Sequence, residues 1–212
     1  MTGGIPMRKI DYHVIATGST GNAVRIEKIM IDCGIPFKEM KEDLYLCDTL
    51  LITHAHSDHV KASTLKSIRK DFPRIAVYAN ADVAYRYDVD HVVGTTPFSL
   101  SHGRRIVPFE GRHNVPVTGY LIEEQGINIL YATDTCQVIL PENVPIDYCF
   151  LESNYDERKL QEIGKRYARG RYDPAMNAHR HLSTQKCKEF YYVHRRSAES
   201  KLIELHQSKR FY

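Results

Sequence analysis

The hexapeptide His-Ala-His-Ser-Asp-His at positions 54–59 is the most constraining feature of this sequence. It places three imidazoles and a carboxylate directly after the apolar run from Leu50 to Thr53, which is typical of a buried strand. Such dense polar side chains at a strand end repel and desolvate one another unless cations lie among them. We expect His54 and His56 to hold one divalent ion, and Asp58 and His59 to hold a second, roughly 3.5–4 Å away. A His-rich polar loop is the alternative, but this spacing of four ligands is far more specific than a lone histidine.

This hexapeptide resembles the signature of the metallo-β-lactamase superfamily. The resemblance implies an α/β (α+β) fold, an αββα sandwich of two mixed sheets flanked by helices, with metals at one edge. It also implies three later ligands, which we assign to His113, to Asp134 after a strand, and to His181. The first ion would then bind His54, His56 and His113, and the second Asp58, His59 and His181, with Asp134 bridging both.

Shorter motifs resemble one branch of that superfamily, the YycJ/WalJ-like DNA nucleases. They occur in the order of that branch at Thr17–Asn22, Ile31–Gly34, Tyr78–Asn80, Pro116–Tyr120, Glu152–Asn154 and His181–Ser183. The resemblance covers roughly residues 10 to 190. Tyr155 and Asn114 depart from it, since the branch usually has His and Asp there, and these departures concern the geometry of substrate binding.

Length and composition favour one soluble domain over residues 1–212, with a disordered extension at residues 1–8 and a basic helical segment at 184–212. The chain is 42% hydrophobic and 26% charged, as in an ordinary globular protein. No apolar run is long enough to span a bilayer, and the first residues do not resemble a secretory signal. Five cysteines without a C-x-x-C spacing predict a reducing, cytoplasmic location rather than a disulfide framework. No obligate protein partner is evident.

Charge is distributed unevenly along the chain. Residues 1–154 carry 15 Lys and Arg against 19 Asp and Glu, whereas residues 155–212 carry 14 against 7. The basic part also contains eight aromatic residues, a combination that suits phosphate contacts and base stacking. A pair of solvated helices with inward aromatics explains the same composition equally well.

Local patterns predict the elements that carry these motifs. We expect short strands before residue 34, a helix from about Pro36 to Leu46, a strand feeding the metal motif, and a helix from about Ala62 to Asp71. Asn80 is expected to cap a short helix, and residues 92–130 to be β-rich. Ser183 or Thr184 is expected to cap a late helix to about His194, with further helix extending to His206.

The predicted chemistry is phosphodiester hydrolysis by a hydroxide that bridges two metal ions. Superfamily resemblance gives Asp58 a second role in orienting the nucleophile. His179 is our candidate general acid, with a hydrogen bond to a carboxylate as the alternative role. Asp32 and Glu152 are expected to orient ligand imidazoles. Arg171 and Arg180 are expected to contact the substrate phosphate. Ser19 and Asn22, in the turn Thr17–Asn22, are expected to contact phosphate or to support the metal ligands.

The remaining histidines lack acidic or histidine partners at ligand spacing in the sequence. We therefore expect them to be ordinary surface or core residues, and they are His13, His91, His102, His194 and His206.

Three functions remain open from the sequence. The first is a nuclease, with DNA favoured over RNA. The second is a small-molecule hydrolase, such as a cyclic-nucleotide phosphodiesterase, lactonase or thioesterase, because one metal pair can serve all these reactions. The third, a non-catalytic nucleic-acid-binding protein, conflicts with the complete ligand set. Imidazole and carboxylate ligands favour Zn²⁺ and also suit Mn²⁺ or Fe²⁺.

Overall fold

Two sheets of six strands each form the centre of the computed structural model, which describes residues 8–167 and 178–208. The first sheet has the spatial order β1 to β6, formed by Tyr12–Ala16, Ala23–Ile26, Ile29–Ile31, Thr49–Ile52, Ala76–Ala79 and His91–Val92. The second has the order β12 to β7. In chain order its strands β7 to β12 are Phe98–Ser99, Arg105–Gly111, Val117–Glu124, Ile127–Ala132, Tyr148–Glu152 and Lys201–Leu205.

Alternating burial explains why the two sheets stack. In β3, Ile29 and Ile31 pack into the layer between the sheets, whereas Met30 packs on the opposite face. In β10, Ile129 likewise faces the central layer, and Leu130 faces away from it. Because both faces of these strands carry buried apolar residues, each sheet must be covered on both sides.

Helices supply the outer cover. Helices α1 (Phe37–Leu44), α2 (Ala62–Asp71) and α3 (Ala81–Arg86) contribute residues to the core outside the first sheet. Helix α5 (Thr184–His194) contributes Cys187 and Tyr191 to the core outside the second sheet. Helix α4 spans Glu157–Tyr167. The layers are therefore helix, sheet, sheet, helix, which confirms the predicted αββα sandwich. Among the residues that the structure describes, no helix is long and apolar enough to cross a lipid bilayer.

Several local predictions are confirmed. Helix α2 has the predicted bounds, the Asn80 side chain accepts a hydrogen bond from the Val83 N–H, and Ser183 caps α5 by accepting one from the Lys186 N–H. Pro36 is the N-cap residue of α1, whereas the sequence predicted it as the first residue of the helix. Of the predicted N-terminal extension only Arg8 is described, and it is held in place by an ion pair with Glu27 at 2.9 Å.

The predicted helix at the C-terminal end is wrong in its second half. After α5 the chain forms strand β12, which pairs in parallel with β11 from Tyr148↔Lys201 to Glu152↔Leu205. The sequence Lys-Leu-Ile-Glu-Leu is short enough to adopt either conformation, and the open edge of β11 decides between them by offering backbone hydrogen bonds. This pairing brings residue 206 to the end of β11, next to Glu152.

Candidate metal centre

Residues far apart in the sequence meet at one edge of the two sheets. The hexapeptide leaves the end of β4, and His113 lies in the loop between β8 and β9. Asp134, Glu152 and His206 stand at or just beyond the ends of β10, β11 and β12. Because these strands are parallel or connected at this edge, their polar residues converge there, whereas the strand interiors stay apolar.

The first group of candidate ligands contains His54, His56 and His113, whose ligand atoms lie within 4.8 Å of one another. His54 Nε2 and His56 Nδ1 are 3.0 Å apart. Burial lowers the pKa of His54 to about 2 and also lowers the pKa of His113. The rings of His54 and His113 are therefore neutral near pH 7, the form that binds metal.

The second group contains Asp58, His59 and His206, again with ligand atoms within 4.8 Å. His59 Nδ1 contacts Asp32 Oδ2 at 2.7 Å, so that Nε2 faces Asp58 Oδ2 at 3.8 Å. Asp32 is fully buried and also accepts hydrogen bonds from the backbone and hydroxyl of Thr53. The contact between Asp32 and His59 Nδ1 supports the predicted role of Asp32 in orienting a ligand imidazole.

Asp134 lies between the two groups. Its Oδ2 is 2.9 Å from His59 Nε2 and 3.6 Å from His206 Nε2, and its Oδ1 is 3.8 Å from His113 Nε2. Asp134 Oδ2 and His206 Nε2 are both buried and lack a hydrogen bond with acceptable geometry among the described residues. Asp134 Oδ2 and His206 Nε2 face each other at 3.6 Å without a hydrogen bond between them, and a cation between the two atoms fits this arrangement.

Carboxylates surround the imidazoles of the second group. Burial opposes protonation of His59, but Asp32 and Asp134 outweigh it and raise the pKa of His59 to about 10. The pKa of His206 is likewise raised, against the effect of burial, by Asp134, Asp58 and Glu152. The pKa of Asp134 is held well below its usual range by His59 and His206 despite burial. The site therefore concentrates negative charge where cations would bind.

His206 corrects one sequence prediction. It was predicted to be an ordinary histidine, but it is 5% exposed and lies beside Asp58 and His59, with ligand atoms within 4.8 Å. His181, which was predicted as the ligand there, lies in a neighbouring group of possible ligands with Asp134, Glu152 and His206, and places Nδ1 2.6 Å from Glu152 Oε1 and 3.8 Å from Asp134 Oδ1. His206 was missed because the five residues before it, Lys-Leu-Ile-Glu-Leu, form strand β12 without an alternating sequence pattern that would have predicted a strand.

His179 does not occupy the position predicted for a general acid. The chain turns at residues 178–181, where the His181 N–H donates to the Ala178 carbonyl, so residues 179 and 181 do not face the same side as they would in a strand. The His179 ring is exposed and packs edge-on against Tyr155 at 6.2 Å between centroids. Glu152, by contrast, is fully buried and contacts both His181 and His206 through Oε1, as expected for an orienting carboxylate.

A cleft of about 260 Å³ opens over both groups of ligands. Ser19 and Arg180, two predicted substrate contacts, line it together with Asn114. Asn22 is 1% exposed and binds the carbonyls of Gly18 and Asp58, so it supports the ligand loop and does not reach substrate. Arg171 lies outside the described residues.

Comparison with known proteins agrees with this geometry. Residues 27–206 match the family described as Beta-lactamase superfamily domain, so the match begins before β3 and ends on His206. The chain belongs to this superfamily. The family predicted from the hexapeptide is thereby confirmed.

Two curated relatives match part of the chain. The exodeoxyribonuclease YycJ of Bacillus anthracis is 29% identical over 99 residues, which cover 42% of this chain and 36% of that protein. A UPF0173 metal-dependent hydrolase of Thermococcus onnurineus is 29% identical over 126 residues, which cover 51% and 54%. The chain thus spans about a third to a half of the relatives it matches. Their names agree with the predicted enzyme class and with the relation to YycJ.

Solved structures share the fold over nearly the whole chain. The metallo-β-lactamase fold protein YhfI of Bacillus subtilis has a TM-score of 0.68 at 14% identity, covering 93% of this chain and 85% of that one. The short form of human tRNase Z has a TM-score of 0.66 at 17% identity, covering 94% and 93%. At these identities the similarity establishes the fold.

Proposed function

We propose that this protein hydrolyses phosphodiester bonds with two divalent metal ions, and that its substrate is nucleic acid, DNA rather than RNA. The observation that carries the proposal is the convergence of two ligand triads on Asp134 at one sheet edge. A buried carboxylate between two such triads is the arrangement that a two-metal hydrolytic site requires. The name of the YycJ relative, an exodeoxyribonuclease, supports DNA as the polymer.

The donor set fits divalent ions of the zinc type. His54, His56 and His113 would hold one ion, Asp58, His59 and His206 the other, and Asp134 would contact both. None of the ligand groups among the described residues contains a cysteine, so Zn²⁺, Mn²⁺ and Fe²⁺ all suit the site, with Zn²⁺ our preferred assignment. When bound, such a pair lowers the pKa of an attacking water and neutralises charge on the phosphoryl oxygens.

Positioning of the second triad depends on Asp32. Its carboxylate accepts a hydrogen bond from the His59 Nδ1–H, which fixes the orientation of the ring and leaves Nε2 directed into the site. Asp58 keeps 26% of its side chain exposed and lines the cleft, so it reaches both the ligand group and the substrate. We assign Asp58 the further task of orienting the nucleophile.

The proton for the leaving oxygen is assigned to His181, replacing the predicted His179. His181 lines the cleft, and its Nδ1 contact with buried Glu152 at 2.6 Å directs Nε2 away from that carboxylate. Burial disfavours the imidazolium, but Glu152 outweighs it and raises the pKa of His181. A protonated imidazole at the cleft wall can donate to an alkoxide as it leaves, whereas the exposed His179 ring does not line the cleft.

The test is a panel of labelled single- and double-stranded DNA and RNA, assayed with added Zn²⁺ or Mn²⁺. We expect metal-dependent cleavage of DNA that is lost in Asp134→Ala and kept in Asp88→Ala, a matched change at a surface carboxylate that is 81% exposed. If no polymer is cleaved but a cyclic nucleotide, lactone or thioester is, the protein is a small-molecule hydrolase. Equal turnover by Asp134→Ala and the intact protein would refute the two-metal assignment.

A second pair of variants separates proton donation from metal binding. His181→Gln should lower turnover about 10²–10⁴-fold, the usual contribution of general acid catalysis, without lowering metal content. His179→Gln is the matched control and should retain turnover. Loss of metal from His181→Gln would make His181 a ligand instead.

A further inference from the structure

A second cavity adjoins the cleft and has no role in the chemistry described above. It measures about 680 Å³ and shares two lining residues, His113 and Asn114, with the cleft over the candidate metal centre. We call it the side cavity. Because His113 lines both spaces, a phosphate held at the candidate metal centre would lie at the border of the side cavity.

Half of the residues that line the side cavity are polar or charged, and the other half are apolar or glycine. Val93, Val115 and Pro116 provide apolar surface between the end of β6 and the loop that carries His113. The Asn114 side chain and the Arg112 guanidinium have no hydrogen-bond partner among the described residues, and both residues are exposed. The volume of about 680 Å³ falls in the range of roughly 300–1,000 Å³ that is usual for small-molecule sites, and the mixed lining offers both apolar contacts and hydrogen-bonding groups.

Charge argues for an uncharged occupant. Arg112 is accompanied by Glu110 on the same lining, so the cavity carries one charge of each sign. A phosphate backbone requires an excess of basic groups, which this lining lacks. A base and its sugar are uncharged, present two flat apolar faces, and carry edge groups that an amide or guanidinium can hydrogen-bond.

We propose that the side cavity binds the nucleoside attached to the scissile phosphate, with Asn114 as a specificity-determining residue for the base. This inference rests on the proposed phosphodiester hydrolysis. Asn114 stands where the sequence departs from the resembling branch, so the residue that reads the base is one in which this chain differs from that branch.

Gly94 offers a way to fill the side cavity without disturbing the metal centre. It lines the cavity, and a Cβ built there meets no atom within 4 Å. Its φ lies outside the left-handed region that disfavours side chains. Gly94 also lines a neighbouring pocket next to Tyr78 and Phe98, so Gly94→Leu adds bulk at the border of both spaces without backbone strain. Ala62→Leu, at an exposed position on α2 that lines none of the described pockets, is the matched control.

The assay compares p-nitrophenyl phosphodiesters that share one leaving group. The second substituent is thymidine through its 5′ or 3′ oxygen, phenyl, or methyl. For the intact protein we expect kcat/KM for at least one thymidyl ester to exceed that of the methyl ester about tenfold or more, the equivalent of about 1.4 kcal/mol. Gly94→Leu should reduce this ratio to near one, and Ala62→Leu should preserve it. Asn114→Leu, which keeps the volume but removes the amide, should reduce the ratio about 5–10-fold.

Two results of the ester assay overturn the subsite. The first is a thymidyl-to-methyl ratio of kcat/KM that Gly94→Leu leaves unchanged. The second is a phenyl ester that is hydrolysed as well as the thymidyl esters, which would indicate a purely apolar pocket. Binding of free thymidine to the metal-free protein, followed by saturation-transfer NMR, separates the two proposals. If thymidine binds and Gly94→Leu abolishes the binding, the subsite is supported even when no ester is hydrolysed. The absence of ester hydrolysis would then refute only the hydrolase function. No thymidine binding and no preference for thymidyl esters would refute the subsite alone.

Discussion

Replacement of Gly34 by alanine tests how tightly the metal loop is held. A Cβ at this position meets the Asp58 carbonyl far inside van der Waals contact, and even the more distant His59 backbone nitrogen would be only 2.7 Å away, where ordinary contact begins at 3.4 Å. The loop must therefore retreat by at least about 0.7 Å at His59 and by more at Asp58. Neighbouring hydrogen bonds oppose this movement, including Cys33 N–H to the His59 carbonyl at 2.8 Å.

The expected consequence for activity is large. A displacement near 1 Å in a catalytic constellation costs about 10²-fold in rate, so Gly34→Ala should lower kcat/KM on DNA by about that factor. The overpacking should also lower the free energy of unfolding by about 1–3 kcal/mol. Metal content should fall at the second triad, which contains Asp58 and His59 and moves with the loop.

The measurements are urea unfolding, metal content after gel filtration, and kcat/KM. Gly94→Ala serves as the control in the unfolding assay only, since its Cβ meets open space and its unfolding free energy should stay within about 0.5 kcal/mol of the intact protein. Full activity and full metal content in Gly34→Ala would show that the loop is not held against Gly34, and the reasoning would be wrong.

Three further predictions concern the same centre. His206→Ala should remove the second metal ion and most of the activity. The control His194→Ala, at the end of α5, should keep two ions and full activity. Two bound ions in His206→Ala, measured by metal analysis, would show that His181 is the ligand instead. Asp32→Ala should destabilise the fold by about 2–4 kcal/mol, because the buried donors of Thr53 and His59 lose their acceptor, and urea unfolding without added metal measures this directly. Chelation of metal should lower the melting temperature of the intact protein, and added Zn²⁺ should raise it in a concentration-dependent way. The reason is that an ion that binds only the folded state stabilises that state. A melting temperature that does not respond to zinc would contradict the assigned ligands.

Three of the six described non-glycine residues with positive φ lie at the candidate metal centre. Asp32, Asp134 and His206 all have positive φ, at 62°, 54° and 53°. For residues other than glycine this conformation costs of order 1 kcal/mol each and persists only where the surroundings impose it. In each case the residue follows the end of a strand at the candidate metal centre, so the strain turns these side chains toward the ligand cluster.

Local chemistry explains which predictions succeeded. The hexapeptide at 54–59 packs four ligand types into one loop, so their proximity is guaranteed by the chain itself and needs no knowledge of the fold. The bounds of α2 and the caps at Asn80 and Ser183 are likewise local, because each depends on hydrogen bonds within a few residues. The family resemblance then supplied the two-layer architecture and the order of the later motifs.

Non-local pairing explains the failures. The sequence determined that a dense set of imidazoles and a carboxylate would lie at the end of a buried strand, because residues 54–59 closely follow the apolar residues of β4. Only the tertiary structure decided which distant histidine joins them. His181 and His206 both follow plausible segments, and the parallel pairing of β12 with β11 places His206 beside Asp58 and His59 while Glu152 holds His181 at the cleft wall. That choice depends on contacts between residues 29 or more positions apart, which a short sequence motif does not encode.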